Sequence, residues 1–99
     1  MPTSVNGSLG PVLAALADPL RRRVVRELAS APDGTARTCG SFELPVSKAT
    51  VTHRFRALGE AGLVQQVSRG NSRMAGLRQA DVEQRFPGLL GIVAAEPEE

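Results

Sequence analysis

The chain has no tryptophan, no tyrosine and only three phenylalanines in 99 residues. Its interior must therefore be packed with aliphatic side chains. A single cysteine, Cys39, excludes an internal disulfide and any multi-thiolate metal site within one chain. A single histidine, His53, has no nucleophile or second base placed beside it, which leaves enzymatic use unsupported. No glycine loop for phosphates and no paired His/carboxylate spacing is found, so an enzyme is not expected. No stretch has the apolar length of a membrane span or the layout of a signal peptide. A cytoplasmic setting without a membrane partner is the expectation. Internal repeats and low-complexity linkers are also missing.

What is present fits one small domain. We divide it into an N-terminal flank at 1–7, a folded unit at 8–95 and an acidic tail at 96–99. A chain this short buries only part of its surface, so association with a second copy would help it. The net charge is +2, but Glu96, Glu98 and Glu99 carry three of the ten acids. Between Val46 and Arg78 there are six basic residues (Lys48, Arg54, Arg56, Arg69, Arg73 and Arg78) against Glu60 alone. Such a concentration suits a polyanion, although solvated arginine gives the same count.

Stretch 47–64 is the most informative. Val51, Phe55 and Leu58 recur at i, i+4, i+7 and define one apolar helical face. Thr52, His53 and Arg56 occupy the other, with Lys48 near the start. Ser47 is a good N-cap, and Val46 with Val51 is placed for a hydrophobic staple. Gly62 is placed as a left-handed stop. A short helix with a buried stripe and a small-polar, basic outer face is what a major groove admits. Gly59 inside it costs roughly 1 kcal/mol relative to Ala, and the one rationale the sequence offers is close approach of a neighbouring element.

The flanks supply its surroundings. A helix over 8–17, capped by Ser8, aligns Val12, Leu13 and Leu16, and Asp18-Pro19 then restarts the chain as cap and first helical residue. The second helix runs to about Ser30 with Leu20, Val24, Val25 and Leu28 buried. Its Arg21, Arg22, Arg23 and Arg26 can reach phosphates or acidic groups, or simply solvate the helix. Ala36, Cys39 and Phe42, at i, i+3 spacing, suggest a short helix within 35–42. With the turn at 43–46 and the capped helix, this makes a helix-turn-helix over 35–61. A two-stranded wing follows over 63–77, with hairpin chemistry at residues 69–72. Its tip carries Arg69 and Arg73, which can enter a minor groove. Asp81 is placed to cap a helix holding Val82 and Phe86, and Leu89, Leu90 and Val93 form a last stripe. That stripe and Val12, Leu13 and Leu16 are read as a homodimer surface; packing on each other within one chain is the alternative. The fold class is mainly α with a small β-hairpin, a winged helix-turn-helix with five or six helices and a two-stranded wing.

Three blocks carry a resemblance: residues 16–28 with Asp18-Pro19-Leu20-Arg21, residues 47–58, and Glu60-Ala61-Gly62-Leu63-Val64. Over residues 8–77 the chain resembles the ArsR-like winged helix-turn-helix repressors. The resemblance implies a homodimer that represses from an inverted-repeat operator in double-stranded DNA. By position, Ser47, Lys48, Thr50, Thr52, His53 and Arg56 match the DNA-facing helix, and Arg69 and Arg73 match the wing. Metal-sensing members use a Cys-x-Cys pair before the recognition helix or Asp/His ligands on the final helix. Here Cys39 stands alone and Asp81 has no histidine near it, so no metal or cofactor is expected. Cys39 reads as a small buried hydrophobe. A redox role requires exposure and a lowered pKa, which the helix start and Arg37 could provide. A redox or small-molecule effector is therefore left open. The competing reading is a winged-helix module for protein contact, which would have lost the basic face.

Overall fold

The computed structural model describes residues 8–97. The flank 1–7 and the last two glutamates of the tail lie outside the described residues. Five α-helices and three strands follow in the order α1 (Leu9–Ala17), α2 (Pro19–Ala29), β1 (Ala36–Thr38), α3 (Lys48–Glu60), β2 (Val64–Arg69), β3 (Ser72–Leu77), α4 (Gln79–Arg85) and α5 (Leu89–Ala95). A 3-10 turn, Cys39–Phe42, joins β1 to the approach of α3. This is the mainly helical winged-helix architecture expected, with one strand more than a hairpin.

Asp18 caps α2 as its position suggested, accepting from the Arg21 N–H at 2.9 Å, with Pro19 opening the helix. Helix α1 is nine residues long, too short to be stable alone. Its terminal carbonyls are covered from α2: Arg21 Nε donates to Ala15 O at 2.9 Å, and Arg22 Nη1 to Leu16 O at 2.8 Å. Arg22 Nε also meets both carboxylate oxygens of Glu96, at 2.9 and 3.1 Å, and Arg26 reaches the same group at 3.4 Å. Arg23 pairs with Glu27 at 3.0 Å and donates to Phe42 O at 3.0 Å. The α2 arginines thus hold α1, the end of α5 and the turn before α3, and are neither a phosphate row nor an idle solvated face.

The helix expected within 35–42 is a strand followed by a 3-10 turn. β1 pairs antiparallel with β3 (Ala36↔Gly76, Thr38↔Met74), and the sheet order is β1-β3-β2. Pairing satisfies backbone groups that a one-turn helix would leave open. Gly76 lies against this strand, where a Cβ would make an ordinary contact with Thr35 O at 3.4 Å. Asp81 does not cap α4 either. It lies in the first turn and pairs with Arg85 at 3.2 Å and, more loosely, Arg78 at 4.0 Å.

The terminal stripes divide in a way spacing could not reveal. Val12, Leu16, Leu90 and Val93 are buried inside a single chain, and Leu89 is half-buried. Of the six residues read as a dimer surface, only Leu13 is exposed, at 50%. The physical reason is that α5 lies along α2, and α1 closes on α2 beside it. Beside Leu13 the exposed large apolar side chains of these helices are Leu9 (49%) and Ile92 (72%).

Candidate nucleic-acid interface

Helix α3 begins and ends on local chemistry. The Ser47 hydroxyl accepts from the Thr50 N–H at 3.2 Å and donates to Thr50 Oγ1 at 2.9 Å. At the far end Gly62 sits at φ 82. The Leu63 N–H returns to Leu58 O at 3.1 Å and the Gly62 N–H to Gly59 O at 3.0 Å. That crossed pair is the Schellman arrangement that closes a helix through a left-handed residue. Gly59 is not explained by close approach: a Cβ there would meet only Gln66 Nε2 and Val64 O, each at 4.0 Å.

Phe55 and Leu58 anchor the inner side of α3, and Phe55 packs on Phe42 with ring centroids 5.6 Å apart. Lys48, Thr52, His53 and Arg56 are exposed on the other side. Ser47 is also exposed and Thr50 is half-buried, with both hydroxyls engaged in the cap. Thr52 donates back to Lys48 O at 3.2 Å.

The hairpin turns through Gly70 and Asn71, with Arg69 opposite Ser72 and Gly70 at φ 61, the positive value a two-residue hairpin loop favours. The register separates the two wing arginines. Arg73 stands opposite Ser68 and shares the sheet face of Ala75 and Gln66, whereas Arg69 lies on the other face with Val67 and Met74. Arg73 therefore looks into a groove of about 420 Å³ between wing and α3, whose walls include Cys39, Lys48, Thr52 and Gln66. Arg69 lies by the outer face of the sheet.

The structure also sorts the six basic residues of 46–78. Arg54, though on α3, forms an ion pair with Asp18 at the start of α2, and Arg78 pairs with Asp81. Lys48, Arg56, Arg69 and Arg73 have no ion-pair partner among the described residues. The sequence counted Arg54 with the other basic residues of this stretch, and only the tertiary neighbour Asp18 distinguishes it from Arg56.

Cys39 is half-buried, and its thiol lies 3.9 Å from Gln66 Oε1 as a weak donor. Burial pushes the thiol pKa up, and the positive charge of Arg73 offsets this only in part. Arg37, expected to lower it, is committed elsewhere: it pairs with Glu27 at 2.8 Å and lies 4.0 Å over the Phe42 ring. Among the described residues no three His, Cys, Asp or Glu side chains gather as a metal-ligand set. No described helix is long and apolar enough to cross a membrane.

A capped helix presenting unpaired cations, backed by a packed core and flanked by a β-hairpin, defines a winged-helix domain of the nucleic-acid-binding kind. Comparison with solved structures narrows the class. A possible transcriptional regulator for arsenical resistance is 31% identical over 73% of each chain, with a TM-score of 0.61. An ArsR-like transcriptional regulator from Rhodococcus sp. RHA1 is 28% identical over 87% of this chain and 79% of its own, at 0.62. The transcriptional repressor BigR from Xylella fastidiosa is 21% identical over 89% and 88%, at 0.63. No family model matches the chain, and no curated protein does. The chain belongs to the ArsR-like family of winged-helix transcriptional regulators. These relatives are regulators, not enzymes.

Proposed function

We propose that the protein represses transcription as a homodimer on an inverted-repeat operator, with α3 in the major groove and the β2–β3 tip at the adjoining minor groove. The observation that carries this reading is the set of exposed cations on α3 and the wing, Lys48, Arg56, Arg69 and Arg73, that no acidic side chain neutralises among the described residues. A module used only for protein contact has no need of them. Lys48, Arg56 and Arg73 reach bases or phosphates, Ser47, Thr50, Thr52 and His53 add polar contacts, and Arg69 approaches from the outer face of the wing.

Selection from a random duplex pool tests the reading. Enrichment of an inverted repeat with half-sites about one helical turn, ~34 Å, apart is expected. Affinity should also fall steeply with salt as counterions are released. No enrichment of any duplex would sink it.

The second copy docks through α1 and α5. Arg22 bridges the C-terminal ends of both helices, and Leu13 and Ile92 each stand about one turn back from that end. Two exposed apolar side chains on neighbouring helices favour an apolar partner surface, and a second copy supplies the same one. Ile92→Asp is expected to shift the protein to the monomer in sedimentation and to weaken binding to the full repeat at least tenfold, with half-site binding retained. A variant that sediments as the wild type would remove α5 from the interface.

A further inference from the structure

We infer that Asp18 and Arg54 are positioning residues for DNA reading: their ion pair sets the orientation of α3 on the body of the domain and so decides which side chains reach base edges. The inference rests on the DNA-binding reading above.

Three observations converge on this pair. First, Arg54 lies between His53 and Phe55 on α3 but turns inward, to the Oδ2 atom of Asp18, and is only 22% exposed at its side chain. Its Nε is buried without any hydrogen-bond partner, so the guanidinium accepts an incomplete set of contacts in order to sit there. A cation meant for phosphate would have remained in solvent, as Arg56 does.

Second, Asp18 has two tasks at once. Its Oδ2 accepts the Arg21 N–H that starts α2, and the same carboxylate holds Arg54. Burial pushes the carboxyl pKa up, but the Arg21 N–H and the Arg54 guanidinium outweigh it and hold the group below its ordinary value. The carboxylate is therefore charged wherever the protein is folded at neutral pH.

Third, the pair supplies what the apolar anchors lack. Phe55 and Leu58 fix α3 toward the core, but an apolar side chain constrains roll about the helix axis weakly, because dispersion is non-directional. A charge-assisted hydrogen bond from one edge of the helix is directional. It ties α3 to the α1–α2 junction, where Arg21 and Arg22 already hold the end of α1. A small roll of α3 at this edge moves Lys48, Thr52 and Arg56 together relative to a groove.

The test uses Asp18→Asn, Arg54→Gln and the double variant in the full chain. Asparagine caps a helix as well as aspartate, so Asp18→Asn removes the charge and keeps α2. Affinity for the selected operator and for random duplex is measured across a salt series, with thermal unfolding alongside to correct for any unfolded fraction. Each single variant is expected to lose roughly tenfold in operator affinity, with the double variant no worse than either, as coupled groups behave. The ratio of operator to random binding should shrink by the same factor, and the slope of log affinity against log salt should stay at the wild-type value.

A merely structural role would change the unfolding temperature and leave that ratio intact, which would overturn the inference. A slope reduced by about 0.9 in Arg54→Gln would make Arg54 a phosphate contact and overturn it as well, as would unchanged operator affinity in Asp18→Asn. If the wild type binds no duplex, the DNA reading falls separately. Amide exchange then decides on the pair: faster exchange across α3 in both variants upholds its hold on that helix, and unchanged exchange removes it. If Arg54→Gln does not fold, Asp18→Asn alone decides.

Discussion

Phe55→Ala is expected to remove about 3–5 kcal/mol of stability, the usual cost of emptying a large aromatic site. Phe55 is 1% exposed and packs on Phe42, itself 1% exposed, at the joint between α3 and the 3-10 turn. The chain has no tryptophan or tyrosine, and Phe86 is its one further phenylalanine, so few rings are at hand to refill the site. Domains of this size have a total stability of only ~5–15 kcal/mol, so the variant sits near its unfolding threshold at 37 °C. Denaturant titration should show a lowered midpoint at unchanged slope, and the unfolding temperature should fall by roughly 12–40 °C. A loss under ~1.5 kcal/mol would mean that the α3 joint can collapse around the void and that the Phe42–Phe55 contact is not the keystone of the core.

The largest functional effect is expected from Arg56→Ala combined with Arg73→Ala. Both cations are exposed, one on α3 and the other on the wing face that looks toward it. A lost base contact costs ~1–3 kcal/mol, or roughly 5- to 150-fold in affinity. Two separated contacts add, so a decline of at least about 25-fold on the selected operator is anticipated in the double variant. The salt series apportions it. A phosphate contact weakens all duplexes alike and lowers the slope by about 0.9, whereas a base contact relaxes selectivity at one position. Arg69→Ala, on the outer face, should cost less than Arg73→Ala. Wild-type affinity in the double variant would mean that the cationic side of α3 does not meet DNA.

Features fixed by local chemistry were legible in the sequence. The caps at Ser47 and Asp18, the stop at Gly62 and the hairpin at Gly70-Asn71 each depend on a few adjacent residues. What required the fold was non-local. β1 was hidden because Ala36, Cys39 and Phe42 mimic a helical stripe, and the partner that makes residues 36–38 a strand lies some forty positions later, at Met74 to Gly76. The Arg54–Asp18 ion pair was hidden for the same reason, since Asp18 caps the preceding α-helix, 36 positions earlier in the chain. The terminal stripes showed that α1 and α5 are half-buried but not by what. Four of the six residues assigned to a second chain, Val12, Leu16, Leu90 and Val93, are buried within one. Spacing identifies an apolar side; it carries no information on whether one chain or two will cover it.

The short third strand has a mechanical consequence for the wing. β1 supports β3 only as far as Met74, opposite Thr38. Beyond that rung, the pairs Ser68–Arg73 and Arg69–Ser72 and the loop at Gly70-Asn71 project as a bare two-stranded ribbon. The hairpin is a cantilever, clamped at its root by a neighbouring strand and compliant over its last two rungs. The span of the free part, about 7 Å at 3.3 Å per residue, is the part that carries both arginines. A rigid root preserves the register between wing and α3; on the proposed operator, a yielding tip lets Arg69 and Arg73 follow a groove whose width varies with sequence.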